Sequence, residues 1–375
     1  MPPPTLLICY TWGMRILGIE TSCDETAVSI CEYRDGVVNM LSNCIVSQID
    51  IHKAYGGVVP EVAARSHIEA MVPTLDESIK QAFGNDNASK SWDQIDGIAV
   101  SYGAGLGGAL LIGTLTAKTL AVAKQKPLYG CNHVEGHVYA NFITSKAIEG
   151  YVLPERAPEF PLLALIVSGK HSQLVLFRNH FDYTVLGKTY DDAIGEAFDK
   201  VAKMTGLSYP GGPSISKAAQ SGDPHAFELP KPHMEGVYDS SFSGLKTAVL
   251  RKAQFLCGKD FHTPSFELPS LLNQQQVNDI AAVFQRTAIE TMVDKMVKAY
   301  EEFQPRDVVI AGGVASSQEL RRQLSDALPM QPIYTDPKLC TDNGAMIASL
   351  GCFKASLSVA PSDPLSLEIN PSLKM

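Results

Sequence analysis

The chain has 375 residues, of which 45% are apolar and 19% charged, and its formal net charge is −9. Chains of this length usually form more than one hydrophobic core, so two lobes are expected. The negative charge excludes a protein that coats nucleic acid non-specifically, but it allows a local basic patch that receives one RNA. The eight cysteines form no Cys-x-x-Cys pair, which predicts reduced thiols in a cytosolic protein.

The first residues do not follow the pattern of a targeting signal. Residues 1–13 lack both the basic and the apolar region of a secretion signal, and Met14 directly precedes a predicted strand. We therefore interpret 1–13 as an N-terminal extension. No apolar run approaches the roughly 18 residues that predict a membrane span. We expect a location in a bacterial cytoplasm, with an organelle as the alternative.

Two short strands joined by a polar loop open the chain. Residues 15–19 and 27–31 are strand-like, and the loop between them is rich in hydroxyls and carboxylates, which predicts a hairpin. Apolar residues then recur at helical spacing over 68–82 (Ile68, Val72, Leu75 and Ile79). This predicted helix either packs into the core or offers a docking face for a partner.

A glycine-rich turn follows the strand predicted over 95–100 and precedes a helix over 109–124. Residues 103–108 match G-x-G-x-x-G, but the acidic residue that a dinucleotide site needs about 20 residues later is missing. The turn therefore predicts close backbone packing, with a helix N-terminus facing an anion.

Two histidines at helical spacing are the first candidate metal ligands. His133 and His137 are at i and i+4, so on a helix both imidazoles lie on one face and can reach one ion. Asp342 is a candidate carboxylate ligand. Glu135 lies at neither of the positions that zinc peptidases require, which disfavours peptidase chemistry. Two imidazoles and one carboxylate leave open positions on the ion, and iron and zinc both suit them.

The second half repeats the opening pattern. After a connection over 149–161, strands are predicted over 162–167 and 173–177, again with a polar loop between them. A strand over 307–310 ends in a Gly-Gly turn before a helix over 318–327. One hairpin in each half, with a loop that could wrap an anion, predicts a duplicated two-lobe α/β fold with a ligand in the cleft. The Ser- and Pro-rich tail from about residue 356 is predicted to be loose.

Two polar stretches have alternative interpretations. Residues 191–200 predict an acidic helix face, which is either simply solvated or binds amino and hydroxyl groups. Residues 239–246, with Arg251 and Lys252 nearby, are rich in hydroxyls and modestly basic. They are either a solvated loop or a contact for a phosphate backbone.

Eight motifs run in order from about residue 14 to residue 350. They are GIETSCDET at 18–26, YGGVVPE at 55–61, NHVEGH at 132–137, VSG at 167–169, GEAFDK at 195–200, YPGGP at 209–213, FSGLK at 242–246 and CTDNGA at 340–345. Together they strongly resemble the tRNA N6-adenosine threonylcarbamoyltransferase family, formerly described as O-sialoglycoprotein endopeptidases.

The resemblance implies an actin/sugar-kinase/chaperone-like (ASKHA) fold with a nucleotide cleft between two lobes. We predict an N-terminal lobe over 14–130 with about 342–355, a C-terminal lobe over 131–341, and a tail over 356–375. The implied enzyme is a metal-dependent acyltransferase. It would transfer threonylcarbamoyl from threonylcarbamoyl-adenylate to the exocyclic amine of adenosine 37, next to the anticodon, in tRNAs reading ANN codons, with release of AMP.

The resemblance also assigns residues and partners. His133, His137 and Asp342 would hold one divalent ion, Fe²⁺ by preference and Zn²⁺ as the alternative. The donor site would be lined by residues from several loops: Ile166, Val167, Ser168, Gly169, Lys170, Asp199, Gly212 and Ser317. The implied partners are tRNA, the synthase that makes the donor, a paralogous dimerisation subunit and a small ATPase; no membrane is implied.

Catalytic residues are expected in the first hairpin loop. Asp24 or Glu25 is predicted to accept the amine proton or to orient the donor, whereas a structural role for Asp24 would be to fix the turn.

Three positions depart from the family pattern. Lys170 replaces a glycine, so it either pairs with the adenylate phosphate or points away. Ser317 stands where asparagine is common, and Ala104 where proline is usual.

Two other functions remain alternatives. One is an ATP-dependent phosphotransferase of the same fold, which would need magnesium on carboxylates and water rather than on imidazoles. The other is a non-catalytic scaffold that binds a nucleotide and a partner protein.

Overall fold

The computed structural model describes residues 13–84, 88–232 and 234–375. The predicted N-terminal extension lies outside this part of the chain, apart from Gly13. The described residues form two compact units. The first contains the residues up to Val46 together with Pro60–Tyr151 and Asn343–Lys374, and the second contains Ser47–Val59 and Val152–Asp342. The predicted lobe limits, which divide the chain between residues 130 and 131, stay a prediction.

The strands form two mixed sheets. The first unit has a six-stranded sheet in the order β5-β4-β1-β2-β3-β6, with β1 Met14–Glu20, β2 Glu25–Arg34, β3 Val37–Ser47, β4 Gly97–Gly103, β5 Leu128–Asn132 and β6 Ile143–Lys146. The second unit has a four-stranded sheet in the order β10-β7-β8-β9, with β7 Leu162–Val167, β8 Ser172–Asn179, β9 Asp182–Lys188 and β10 Asp307–Ala311.

The α-helices of the described residues vary widely in length. They are α1 Ile49–Lys53, α2 Pro60–Phe83, α3 Ala88–Asp93, α4 Gly107–Lys124, α5 His133–Tyr139, α6 Ile194–Met204, α7 Gly211–Ala219, α8 Ser243–Leu256, α9 Gln274–Phe303, α10 Gln318–Ala327, α11 Pro337–Cys340 and α12 Gly344–Ser356. No helix among these residues is long and apolar enough to cross a bilayer.

The two sheets share one pattern of strand pairing. In the first, β1 pairs antiparallel with β2 and parallel with β4. In the second, β7 pairs antiparallel with β8 and parallel with β10. The predicted hairpin in each half and the predicted α/β class are therefore confirmed.

Alternate residues of β1 pack on opposite sides of the first sheet. Leu17 and Ile19 are fully buried in a cluster with residues of α2 and α4. Gly18 faces α12, because a Cβ on this residue would lie 2.3 Å from the backbone nitrogen of Ala348. The absence of a side chain here allows α12 to lie directly on the strand.

Helix α2 is longer than predicted and buries a different face. Leu75 and Ile79 are in the core as expected, but Ile68 and Val72 are 61% and 62% exposed. Polar residues take part of the buried face instead, since His67 and Ser78 hydrogen-bond to neighbouring segments of the first unit. Apolar spacing cannot reveal such a face. The docking role that was the alternative for this helix stays a prediction.

The prediction of a loose C-terminal tail is wrong. The backbone N–H of Ser362 donates to the carbonyl of Leu128 at 2.7 Å, and that of Asn370 donates to Tyr102 at 2.7 Å. Because β5 lies at the edge of its sheet, its outer backbone groups need partners, and the tail supplies one. Composition alone does not show this pairing.

Candidate functional site

The predicted pair of histidines lies on α5, which begins directly after β5. Asn132 caps this helix: its side chain accepts a hydrogen bond from the Val134 N–H at 2.9 Å and donates one to the Lys374 carbonyl at 3.1 Å. One helical turn brings the rings of His133 and His137 to a centroid distance of 4.8 Å, and both side chains are buried. The expected i, i+4 geometry is confirmed.

The third predicted ligand is brought close by α12. Asp342 immediately precedes Asn343, whose side chain caps this helix by accepting the Met346 N–H at 2.9 Å. Helix α12 packs closely on α5, since a Cβ on Gly136 would lie 2.9 Å from the Ile347 side chain. The candidate ligand atoms of His133, His137 and Asp342 all lie within 4.8 Å of one another.

This donor set fits a divalent transition metal. Ligand atoms bound about 2.1 Å from one ion are at most about 4.2 Å apart, so side-chain shifts of less than about 1 Å would complete the sphere. Three protein ligands leave positions open for a substrate. Nitrogen and oxygen ligands of this kind suit iron and zinc better than magnesium.

A buried carboxylate orients one of the imidazoles. Glu20, at the end of β1, is fully buried, and its Oε2 lies 3.1 Å from Nδ1 of His133. Ser22 supports the arrangement: its Oγ is 3.0 Å from the same nitrogen, and its N–H donates to Oε1 of Glu20 at 2.5 Å. A proton held on Nδ1 by Glu20 leaves the Nε2 lone pair available to an ion. We did not predict this role for Glu20, although a carboxylate in an apolar strand was the available signal.

We expect Glu20→Gln to weaken metal binding about tenfold or more, because such partners fix the tautomer and raise the basicity of a ligating histidine. Glutamine preserves the volume and removes the charge. Competition with a chromophoric chelator would measure the affinity for Zn²⁺ and Fe²⁺. Glu32→Gln, near the other end of the hairpin and paired with Arg15, is the control. Equal affinities for the two variants would contradict this role.

The loop that contains Asp24 is held in place by α2. His67 is fully buried on this helix; its Nδ1 lies 2.7 Å from the Thr26 hydroxyl and its Nε2 lies 3.1 Å from the Cys23 carbonyl. Nothing in the sequence pattern suggested this role for His67. The contact holds the loop between β1 and β2 on both sides of Asp24.

Asp24 lies in this loop and is nearly buried. Its side chain is 8% exposed, and within the described residues no hydrogen bond or ion pair to its carboxylate is found. Glu25 begins β2 and is half-buried. Whether Asp24 or Glu25 acts on a substrate or only shapes the turn stays a prediction.

Glu135 lies between the two histidines in sequence, but the charged group that acts on it is Lys354. Burial raises its pKa to about 7, and the nearby positive charge of Lys354 on α12 partly offsets this effect. The arrangement differs from that of a zinc peptidase, in which the glutamate adjoins a ligand histidine in sequence and serves as the base.

The glycine-rich turn at 103–108 packs against the first loop. The Leu106 N–H donates to the Ser22 carbonyl at 2.8 Å, and the Gly105 N–H donates to the Pro371 carbonyl of the tail at 3.2 Å. The glycines therefore permit close backbone packing, as predicted. The anion that the helix N-terminus was expected to face stays a prediction.

Several predicted donor-site residues adjoin one another in the second unit. Glycines allow the approach: a Cβ on Gly195 would lie 2.7 Å from the Ser168 carbonyl, and one on Gly312 would lie 2.4 Å from that of Val167. Gly312 has a φ of +89°, which favours glycine. The end of β7, where Ile166 and Val167 lie, is thus in contact with the starts of α6 and of the turn after β10.

The remaining donor-site residues lie on neighbouring turns. Asp199 on α6 accepts the Gly211 N–H at 2.6 Å, next to Gly212. A Cβ on Gly169 or Gly212 would meet nothing within 4 Å, so these backbones border open space. Lys170 is exposed. Ser317 caps α10, where its hydroxyl accepts the Leu320 N–H at 3.4 Å. Their roles toward a donor stay predictions.

The hydroxyl-rich stretch at 239–246 is occupied by internal contacts. The hydroxyls of Ser241 and Ser243 both donate to Asp191 at 2.5 Å, and Lys246 pairs with Asp192 at 2.7 Å. These groups serve the folded structure, so they are poor candidates for contacts with a phosphate backbone. Only the neighbouring cations on α8 remain candidates.

Solved structures with the same architecture include two of HypF. Full-length HypF in the phosphate- and nucleotide-bound form superposes with a TM-score of 0.53 at 12% identity, over 92% of this chain and 47% of that chain. T. kodakarensis HypF gives a TM-score of 0.52 at 12% identity, over 95% and 50%. At this identity the likeness concerns the fold alone, which is of the predicted ASKHA type.

Sequence comparisons identify the family. The family model described as tRNA N6-adenosine threonylcarbamoyltransferase (TsaD) matches residues 39–349. Proteins of that name from Thermomicrobium roseum and Symbiobacterium thermophilum are each 46% identical, over 96% and 90% of this chain and 97% and 91% of theirs. One from Staphylococcus saprophyticus is 43% identical over 92% of both chains. The chain therefore belongs to the tRNA N6-adenosine threonylcarbamoyltransferase family.

Proposed function

We propose that this chain transfers the threonylcarbamoyl group from threonylcarbamoyl-adenylate to the N6 amine of adenosine 37 in tRNAs that read ANN codons, with release of AMP, in the cytoplasm. One observation carries the proposal: His133, His137 and Asp342 converge within 4.8 Å. Glu20 orients one of these ligands. A phosphotransferase using magnesium has no need of two buried imidazoles.

The adenylate half of the donor is assigned to the second unit. The backbones of Gly169 and Gly212 border open space, as a flat nucleotide requires of the residues beside it. Lys170 is exposed on the same loop as Gly169, so its ammonium can pair with the adenylate phosphate. Asp199 fixes the start of α7 by accepting the Gly211 N–H, which keeps the adjoining glycines in position.

The chemistry requires positioning, charge stabilisation and one proton transfer. The adenosine amine attacks the carbonyl carbon of the mixed anhydride, a C–N bond forms, and the C–O bond to the phosphate breaks as AMP leaves. Asp24 accepts the proton that the amine loses. A divalent ion held by His133, His137 and Asp342 would supply Lewis-acid polarisation of the donor carbonyl. Glu20 keeps the first of these ligands in the required tautomer.

A reconstituted reaction tests the proposal. The full chain is incubated with the donor-making synthase, its substrates, companion proteins and unmodified tRNA, and nucleosides are then quantified by mass spectrometry. We expect N6-threonylcarbamoyladenosine to form, and to be lost after metal removal by chelation and regained on adding Fe²⁺ or Zn²⁺. Phosphorylated product without this nucleoside would indicate the phosphotransferase, and no product under any condition would indicate the scaffold.

The paralogous dimerisation subunit is assigned to α2 and α4. These helices pack together in the first unit, where a Cβ on Gly108 would lie 3.1 Å from that of Ala64. Both present large apolar residues to solvent: Ile68, Val72, Leu111, Leu115 and Val122 are exposed. An apolar surface shared by two helices is typical of a subunit interface.

We expect Val72→Asp with Leu115→Asp to abolish the complex with the paralogous subunit, because two charges would be buried in the interface. Size-exclusion chromatography of the mixed proteins measures the complex. Val152→Asp, an exposed valine of the second unit, is the control. An undiminished complex would place the docking surface elsewhere.

A further inference from the structure

An unusual surface lies on α8 and the loop that follows it. Phe255 and Phe261 are 72% and 63% exposed, and cations accompany both rings. Arg251 lies over Phe261 at 5.5 Å from the ring centroid, and Lys252 lies over Phe255 at 5.3 Å. We call Arg251, Lys252, Phe255, Lys259 and Phe261 the α8 surface. Exposed phenyl rings forgo the stabilisation that burial would give, so a cluster of them points to a binding role.

The α8 surface is held in a fixed shape. Gln254 is buried, and its amide donates to the carbonyls of Phe261 at 3.3 Å and Thr263 at 2.7 Å. Arg251 also donates to the Phe261 carbonyl, at 2.9 Å. Lys252 makes a second cation–π contact, because its ammonium lies 4.6 Å from the ring centroid of the half-buried Phe227. The loop is therefore attached to the helix. Because Phe255 and Phe261 are already held in position, binding costs little conformational entropy.

The charge of the α8 surface opposes that of the whole molecule. The segment 246–262 contains four cations and one carboxylate in a chain whose net charge is −9. Lys246 is paired with Asp192, whereas Arg251 and Lys252 lie over the two rings and Lys259 is exposed in the segment between them. Asp260, the carboxylate, accepts the backbone N–H of His262 within the loop. A polyanion is thus the complementary partner for this surface.

We propose that the α8 surface binds unpaired nucleotides of the tRNA substrate, with bases stacked on Phe255 and Phe261 and phosphates at Arg251, Lys252 and Lys259. Aromatic rings interleaved with cations are the usual means of holding single-stranded nucleic acid, since every base offers a face for stacking. The rings supply contact area and the cations supply salt-dependent attraction. This inference rests on the proposed function, because it names the surface through which that substrate is held.

Binding of fluorescent RNA to the full chain, alone and with its companion proteins, tests the proposal. The probes are an unmodified tRNA and an unpaired RNA dodecamer. Phe255→Leu with Phe261→Leu keeps the surface apolar but removes stacking, and we expect about tenfold weaker binding of both probes. For Arg251→Gln with Lys252→Gln, we expect the slope of log affinity against log salt for the dodecamer to fall by about 1.4. Lys203→Gln, an exposed lysine on α6, is the control and should match the wild type.

The possible outcomes separate this proposal from the proposed function. Transfer activity in the wild type, with RNA affinity unchanged in the leucine double variant, would overturn the α8 proposal and leave the function standing. RNA binding that depends on the α8 surface, in a protein without transfer activity, would support the surface and contradict the function. No binding of either probe by the wild type, or loss of a companion protein but not of RNA in the double variant, would also overturn it.

Discussion

Replacement of His137 by alanine is expected to remove the bound metal and to reduce threonylcarbamoyl transfer about 1,000-fold, since Lewis-acid stabilisation contributes several kcal/mol to such a step. His137 is buried on α5 beside His133, and two remaining ligands hold an ion far less tightly than three. Metal content per chain, measured by mass spectrometry of the dialysed protein, and the rate of nucleoside formation are the two readouts.

Matched variants separate metal loss from misfolding. Asp342→Asn keeps the shape of the third ligand but removes its charge, and we expect a smaller loss of metal than for His137→Ala. His225→Ala, an exposed histidine of the second unit, should retain both metal and activity. Thermal unfolding of all three variants, measured with metal removed, shows whether the fold is intact. A metal-free His137→Ala protein with an undiminished rate would exclude a role for the ion in transfer.

Asp24→Asn is expected to reduce the transfer rate by roughly 100- to 10,000-fold, because a general base accelerates a reaction by about this factor. We expect little change in the free energy of unfolding. Asp24 is 8% exposed, and no hydrogen bond to its carboxylate is found within the described residues, so the substitution breaks none of those hydrogen bonds. Single-turnover kinetics with preformed donor measure the chemical step, and chemical denaturation measures the free energy of unfolding.

The neighbouring acid provides the comparison. Glu25 begins β2 and was the alternative candidate for the base. If Glu25→Gln instead causes the large loss while Asp24→Asn is fully active, the base is Glu25. A rate unchanged in both variants would show that the loop only shapes the site. Metal content should remain at the wild-type level in each, which separates this effect from that of the ligand variants.

Local features of the fold followed from the sequence because their causes are local. The hairpins formed by β1 with β2 and by β7 with β8 depend on short apolar strands around polar loops, and both lie where they were predicted. The spacing of His133 and His137 fixes their shared helix face, whatever surrounds the helix. Helix α10 likewise has the predicted limits, with a serine cap at its start.

Features that depend on long-range packing were missed or misjudged. Ile68 and Val72 on α2 are exposed, because polar residues such as His67 take part of the buried face and hydrogen-bond to distant segments, which apolar periodicity does not register. The tail was expected to be loose from its composition. It pairs with β5 because that strand is at a sheet edge, a position that only the strand order reveals.

The sequence by itself determined the family, the two hairpins and the identity of three candidate metal ligands, because motifs and helical spacing are properties of short segments. Only the tertiary structure decided that Asp342 approaches the histidines, since α12 must pack on α5 through Gly136, more than two hundred residues away in the chain. It also showed that Glu20 lies next to Nδ1 of His133 and that cations lie over the phenyl rings of the α8 surface. Such contacts arise when the chain folds back on itself, and no local pattern encodes them.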